Sequence, residues 1–315
     1  MNNKLKKGNK VVSRFYNKLL FTGDTVIKGA PKDRHFNEIN WFMEASKRIP
    51  NNIPKILNYE KKLESENPSD LKYYEMQAVK GDNLYQYLSK NNNKTSEILD
   101  KIIAILEIFH KESLVPNEDD IYEMYLFKPK LALQEFITSN SINPEDITIN
   151  GQKYSYPIEK LERTYNDLKK QLMNSKYSFM HGDLTLSNIL IDKNNDLYLI
   201  DPRGKFGTTS VFGDIRYDIS KMYYSFVGMY DSLNDGNFKY GLNNKTESTY
   251  TYNIDGLGLD SYGEYLLNYF DEKRDLIRFI HSTIWLSLIP HVKETIEQQY
   301  CTFCHGIYLL NTIYD

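Results

Sequence analysis

The stretch 179–201 constrains this chain more than any other. It reads Phe179-Met180-His181-Gly182-Asp183-Leu184-Thr185-Leu186-Ser187-Asn188, then the apolar run 189–191, the polar turn 192–196, the apolar run 197–200, and Asp201. Two short β-prone runs around an Asp/Asn-rich turn predict a hairpin. In such a hairpin Asn188, just before the first strand, and Asp201, just after the second, share one open end. An amide oxygen and a carboxylate there suit a hard cation such as Mg2+, which takes oxygen ligands and keeps substrate phosphates in its shell. Asp183, in a tight loop ahead of Asn188, can reach a hydroxyl beside that metal, orient it and take its proton.

The elements on either side predict an α+β chain with two lobes. Within 11–28, short β-prone runs alternate with the turn Thr22-Gly23-Asp24, a hairpin signature. Over 33–49 the apolar residues Phe36, Ile39, Phe42, Met43 and Ile49 fall at helical spacing, and Pro50 stops the pattern. The runs 53–57 and 73–79 read as strands around a polar turn at 64–70. Residues 1–79 are therefore expected to form a small antiparallel sheet with one helix. After Gly81-Asp82 the period becomes helical at 83–90, 98–111, 157–174 and 271–313, which predicts a larger, mainly helical lobe over 80–315. The polar tract 241–253 reads as an exposed loop, and no internal repeat is found.

Composition removes several function classes. With 315 residues, 41% of them hydrophobic, the chain can bury a substantial core. A formal net charge of -3 gives no overall field that would draw it to nucleic acid or an anionic membrane. Arg14, Asn17 and Lys18 interrupt any early apolar core, so no secretion signal is expected. The run 276–289 contains Arg278 and His281 and stops at Pro290, which predicts a buried helix and no membrane insertion. The two cysteines, Cys301 and Cys304, make no disulfide framework, and a reducing cytoplasm is the simplest home. With His305 they spell a c-type haem attachment site, but the surrounding apolar helical pattern favours core cysteines over haem or zinc. The oligomeric state is left open.

The run H-G-D-x-x-x-x-N followed by a strand-ending Asp resembles the aminoglycoside and choline kinase-like phosphotransferases, relatives of the protein kinases with the same Asp-to-Asn spacing. Four fixed positions should recur by chance in only a few of roughly a thousand chains of this length. The resemblance covers nearly the whole chain and implies a bilobal protein-kinase-like fold. It implies Mg2+-dependent transfer of the γ-phosphate of ATP (or GTP) to a hydroxyl of a small-molecule acceptor such as a sugar, polyol or amino alcohol. In its terms Asp183 is the catalytic carboxylate, Asn188 and Asp201 hold the metal, and His181 orders the loop. Lys28 is the ATP lysine and Glu38 its ion-pair partner, with Glu44 on the same predicted helix as the rival. Met76, Gln77, Ala78 and Val79 form the hinge that holds adenine, and 108–111 is the end of the helix preceding the acceptor region.

Further along, Gly213-Asp214-Ile215-Arg216-Tyr217-Asp218 resembles the family's G-D-x-x-x-D. There the second Asp opens a helix and accepts N–H bonds from the catalytic loop, while Asp214 is either a turn carboxylate or an organiser. The chain also departs from the protein-kinase pattern. Asp201-Pro202-Arg203-Gly204 replaces D-F-G, no A-P-E follows, and only Gly8 and Ser13 stand where a glycine-rich loop would precede Lys28. A small-molecule kinase fits these departures better than a protein kinase. Arg203 either binds an anionic group on the acceptor or the transferring phosphate, or pairs with Asp214 or Asp218. The segment around Arg203 resembles a branch associated with bacterial surface-polysaccharide synthesis. The competing readings are a non-catalytic nucleotide- or partner-binding module, usually marked by loss of Lys28, Asp183, Asn188 or Asp201, and a nucleotidyl transferase on the same scaffold.

Overall fold

Alternate apolar positions make the early strands, and each change to helical spacing marks a helix. The computed structural model describes residues 10–14, 17–60, 71–244, 248–292 and 294–314. Gly8 and the turn expected at 64–70 lie outside them. In chain order the elements are β1 (Lys10–Arg14), β2 (Asn17–Phe21), β3 (Thr25–Pro31), α1 (Lys32–Arg48), β4 (Ile56–Tyr59), β5 (Leu71–Gln77), β6 (Gly81–Asn83), α2 (Leu84–Lys90), α3 (Thr95–Phe109), α4 (Glu118–Tyr122), α5 (Lys128–Ser139), β7 (Ile147–Ile149), β8 (Gln152–Tyr154), α6 (Pro157–Met173) and β9 (Tyr177–Phe179). There follow β10 (Ile189–Asp192), β11 (Leu197–Leu199), β12 (Lys205–Phe206), β13 (Thr209–Ser210), β14 (Phe212–Asp214), α7 (Ile215–Phe226), α8 (Tyr230–Asn234), β15 (Phe238–Asn244), β16 (Thr249–Ile254), α9 (Asp260–Tyr269), α10 (Arg274–Leu288) and α11 (Ile296–Asn311). The class is α+β. One compact unit joins Met1–Phe109 with Met180–Lys205, and the other joins His110–Phe179 with Phe206–Asp315.

In the first unit an antiparallel sheet runs β1-β2-β3-β5-β4. On β3 the alternation of strand faces turns Val26, Lys28 and Ala30 inward, and on β5 it does the same for Lys72, Tyr74 and Met76. Lys28 pairs with Tyr74 across the two strands. The buried face of α1 carries His35, Glu38, Ile39, Trp41, Phe42 and Ala45. Phe36, expected on that face, is 59% exposed, because the i, i+3, i+4 rows from His35 and Glu38 set the inward direction instead. The hairpin β10–β11 pairs Ile189 with Leu199, and β6 lines its other edge through Leu190 and Asn83. Asn52, beyond α1, holds the free side of β11, donating from Nδ2 to the Leu197 carbonyl (3.0 Å) and accepting from the Leu199 amide (2.8 Å).

The second unit is built on helices, with α10 buried along most of its length. Among the described residues no helix is long and apolar enough to cross a membrane. The expectation of an exposed loop at 241–253 is corrected here. These residues fall largely in β15 and β16, part of the sheet β15-β16-β7-β8, in which β16 runs parallel to β7. Alternate residues of β16 turn Tyr250 and Ile254 into the core, and Tyr240 and Tyr250 each lie against Tyr300 of α11. The Asn, Thr and Lys content hid a period-2 aromatic pattern. Residues 245–247 lie outside those described. His110 is also shifted, standing just past the end of α3 with its ring against Phe270.

Two buried carboxylates organise this unit. Asp214, not Asp218, caps α7, accepting from the Arg216 amide (3.0 Å) and binding the Arg216 guanidinium (2.7 Å) and the Tyr125 hydroxyl (2.9 Å). Arg216 also donates to the carbonyls of Gln171 and Leu172 at the end of α6 (2.9 and 2.8 Å). The expectation that Asp218 opens the helix is thus corrected, because it lies inside the first turn, where the helix already has its cap. Asp120, fully buried on α4, accepts from the Thr208 amide (2.7 Å) and hydroxyl (2.9 Å) and from the Thr209 hydroxyl, pinning the β12–β13 turn. Asp120→Ala leaves those donors buried without their acceptor. The substitution is expected to lower unfolding free energy by about 2–4 kcal/mol, read as a reduced urea midpoint at unchanged slope.

Candidate active site

The site in the first unit begins with a lysine that water does not reach. Lys28 is fully buried, and its ammonium lies 2.9 Å from Glu38 Oε1 and 2.8 Å from Oε2, and against Asp201 Oδ1. Burial alone would drive the proton off Lys28, but Asp201 and Glu38 together hold its pKa above the ordinary value. Glu38 in turn accepts from the Tyr74 hydroxyl (2.7 Å) and from Arg34 Nε one helical turn earlier (2.7 Å). Those contacts raise the Tyr74 pKa well above normal, through burial first and the Glu38 charge second. Glu44 takes no part; it binds Lys47 (2.6 Å) and Arg48 (2.8 Å) on the flank of α1.

Asp201 ends the hairpin with its backbone in the left-handed region (φ 55°), a conformation that costs a non-glycine residue on the order of 1–3 kcal/mol. Burial pushes its pKa up, yet the charge and hydrogen bond of Lys28, with Arg34 beyond, bring it below the usual value. Its side chain remains 33% exposed, open to a further ligand. In the loop before β10, Asn188 Nδ2 donates to the Asp183 carbonyl (2.8 Å) and to Asp183 Oδ2 (3.1 Å). With the amide nitrogen committed to Asp183, Asn188 Oδ1 is the atom left to act as a ligand. One carboxylate and one amide oxygen suit a hard cation such as Mg2+, which Asp201 and Asn188 would hold. Among the described residues no cluster of three or more His, Cys, Asp or Glu side chains is arranged to hold a metal. Cys301 and Cys304 are buried free thiols on α11, and burial pushes Cys301 up to about 12.

His181 is fully buried beneath this loop. Its Nδ1 accepts from the Asp183 amide (3.2 Å) and its Nε2 faces the Ile200 carbonyl (3.0 Å), which assigns the proton to Nε2 and ties the loop to the strand end before Asp201. The Arg203 amide donates to the His181 carbonyl (2.9 Å), and the Arg203 side chain is partly exposed. Gly182 (φ 77°) and Gly204 (φ 66°) are required here, since a Cβ on Gly204 would overlap the Asn37 carbonyl of α1. Trp41 completes the attachment, donating from Nε1 to the Met180 carbonyl (2.8 Å) with its ring edge-on to His181. At the end of β5, Met76 is buried, while the amides of Gln77 and Ala78 bond to the carbonyls of Lys55 and Asp24 (2.9 Å each). Val79 follows, partly exposed.

A family model described as the phosphotransferase enzyme family matches residues 20–243. Nothing among curated proteins matches the chain. The solved structure of a thermostable mutant of aminoglycoside phosphotransferase APH(4)-Ia is 10% identical, with 97% of this chain and 93% of that one covered and a TM-score of 0.60. The GDP and kanamycin complex of APH(2″)-IIia is 14% identical, covering 98% and 93% at a TM-score of 0.53. APH(3″)-Id from Streptomyces rimosus is 14% identical, covering 89% and 93% at a TM-score of 0.51. These likenesses are of fold, the protein-kinase-like one. On the family match, the chain belongs to the phosphotransferase enzyme family.

Arg34, Trp41 and Tyr74 were not singled out by sequence reasoning. Arg34 carried a signal, its i, i+4 spacing to Glu38. Trp41 and Tyr74 carried none beyond burial, because their partners lie far away in sequence. Glu38→Ala is expected to cost about 3–5 kcal/mol by leaving Lys28 and Arg34 short of an acceptor. Glu44→Gln is expected to cost less than about 1 kcal/mol. Denaturant unfolding of the two variants checks the pair.

The buried histidines set an acid limit. Burial lowers His181 to about 4, although Asp183 and the Ile200 carbonyl pull the other way. Its unfolded value is about 6.5, so its contribution to stability is complete above pH ~6.5 and is lost as pH falls toward 4, by up to about 1.4 kcal/mol per pH unit. His110, at about 4, and His305, at about 3, act in the same direction for the same reason, burial. Glu272, held up at about 7 by burial, opposes them. The melting temperature is therefore expected to fall steadily below pH ~6.5, as scanning calorimetry across pH 4.5–7.5 will show.

Proposed function

We propose that this phosphotransferase is a Mg2+-dependent small-molecule kinase that moves the γ-phosphate of ATP or GTP to an acceptor hydroxyl. The observation that carries the reading is the pair of linked contacts in one unit, Asp183 with Asn188 and Asp201 with Lys28 on Glu38. Asp183 orients the acceptor hydroxyl and takes its proton as the acceptor oxygen bonds to the γ-phosphorus. The bond from that phosphorus to the β,γ-bridging oxygen breaks, and its electron pair stays on the nucleoside diphosphate. Lys28, kept charged and aimed by Glu38, holds phosphate oxygens, and His181 keeps the Asp183 loop in register with Asp201. Asp201 and Asn188 Oδ1 would hold Mg2+, which would supply positive charge to the phosphates. The nucleotide lies against the sheet of residues 1–79, with adenine at the segment from Met76 to Val79. Because the amides of Gln77 and Ala78 are already engaged, Val79 offers the first hinge donor.

The acceptor is bound by residues of 80–315. APH(2″)-IIia is known with kanamycin and GDP, and an APH(4)-Ia variant with hygromycin B and AMP-PNP. Aminoglycosides therefore belong in the acceptor panel beside sugars, polyols, amino alcohols and precursors of surface polysaccharide. Arg203 is proposed to meet an anionic group of the acceptor or the transferring phosphate. A screen of purified protein with Mg-ATP and Mg-GTP, read by diphosphate release and by product mass, tests the reading and separates phosphoryl from nucleotidyl transfer. On the acceptor found, Asp183→Ala is expected to lower kcat by on the order of 10²–10⁴ with nucleotide affinity nearly intact, whereas Asp201→Ala removes Mg2+-dependent nucleotide binding. Loss of nucleotide binding in the first variant, or unchanged binding in the second, contradicts the assignment.

A further inference from the structure

Glu38 holds two cations. Lys28 is fully buried and also touches Asp201, while Arg34 reaches Glu38 from the first turn of α1 through Nε alone. Among the described residues Glu38 is the hydrogen-bond partner of Arg34, which leaves the two Nη groups for a ligand, and the side chain is 39% exposed. Burial works against the Arg34 charge and Glu38 supports it, and the fields of Asp201 and Asp183 reach it too. Those two carboxylates bracket the proposed path of the transferring group, one at the metal and the other at the acceptor hydroxyl. A guanidinium in that field offers a planar, two-pronged donor to a terminal phosphate, which a lysine ammonium cannot.

We propose that Arg34, anchored by Glu38, binds the γ-phosphate and makes this site prefer a nucleoside triphosphate over the diphosphate. The inference rests on the kinase reading above. It divides the work between two cations on one carboxylate: Lys28 stays with the phosphates that remain on the nucleotide, and Arg34 meets the one that leaves. Transfer removes the ligand of Arg34 and weakens the hold on the diphosphate product.

Isothermal titration calorimetry of the full chain with Mg2+ and either ADP or a non-hydrolysable ATP analogue tests this. Arg34→Gln is expected to raise the Kd of the triphosphate analogue by about 10- to 100-fold, the size of a charge-assisted hydrogen bond, and to leave that of ADP within about twofold. Arg34→Lys, which keeps the charge and is the safer variant for folding, is expected to show a smaller loss with the same selectivity. Equal losses for both nucleotides would show that Arg34 only props Glu38 and Lys28, and unchanged affinities would show that it meets no phosphate; either result overturns the proposal while the kinase reading stands. A wild-type protein that binds neither these adenine nucleotides nor their guanine counterparts overturns both.

Discussion

A buried ammonium is the constraint on which the first unit depends. Taking Lys28 out of water costs several kcal/mol unless carboxylates meet it, and the two that do come from different parts of the chain, Glu38 from α1 and Asp201 from the end of the β10–β11 hairpin. Helix, sheet and hairpin must therefore arrive together for the lysine to be buried at all. The pairing also decides which face of α1 turns inward, so that Phe36 is exposed while Glu38 and His35 are covered. Function and stability share one set of contacts here, because the groups proposed to hold phosphate and metal are those that neutralise the buried charge.

Around that pair the loop that carries Asp183 is tied to α1 and the hairpin by backbone groups. Trp41 bonds a carbonyl at Met180, His181 bridges the Asp183 amide to the Ile200 carbonyl, and the Arg203 amide closes on the His181 carbonyl. Contacts to the main chain fix position without depending on neighbouring side-chain rotamers, which suits the roles proposed for Asp183 and Asn188. The glycines at 182 and 204 permit the close approach. In the second unit Asp120 and Asp214 do comparable work for the β12–β13 turn and the start of α7, each carboxylate satisfied by several donors, as a buried charge requires.

Much of this was legible in the residues. The hairpin over 189–200 was announced by two apolar runs and an Asp/Asn turn, and Asn188 and Asp201 follow from its geometry. The resemblance named Glu38 ahead of Glu44 as the partner of Lys28, and the structure supplies the physical reason: Glu44 has two basic neighbours on its own helix, while Glu38 points at β5. The strands β15 and β16 were missed because their polar residues outnumber the aromatic ones that carry the period. The cap of α7 was assigned one turn late, since Asp214 and Asp218 are chemically alike and only the chain's path distinguishes them.

The sequence by itself determined the local periods, the turn chemistry, and the spacing that sets Asp183 before Asn188 and both before Asp201, because those depend on neighbours in the chain. The tertiary structure alone decided which distant groups meet. Tyr74 on Glu38, Trp41 on the Met180 carbonyl, Asn52 on β11 and Asp120 on the 208–209 turn are contacts between segments up to 145 residues apart. No local pattern encodes them. They arise because burying the apolar faces of the sheet and helices brings these polar groups out of water, where each must find a partner.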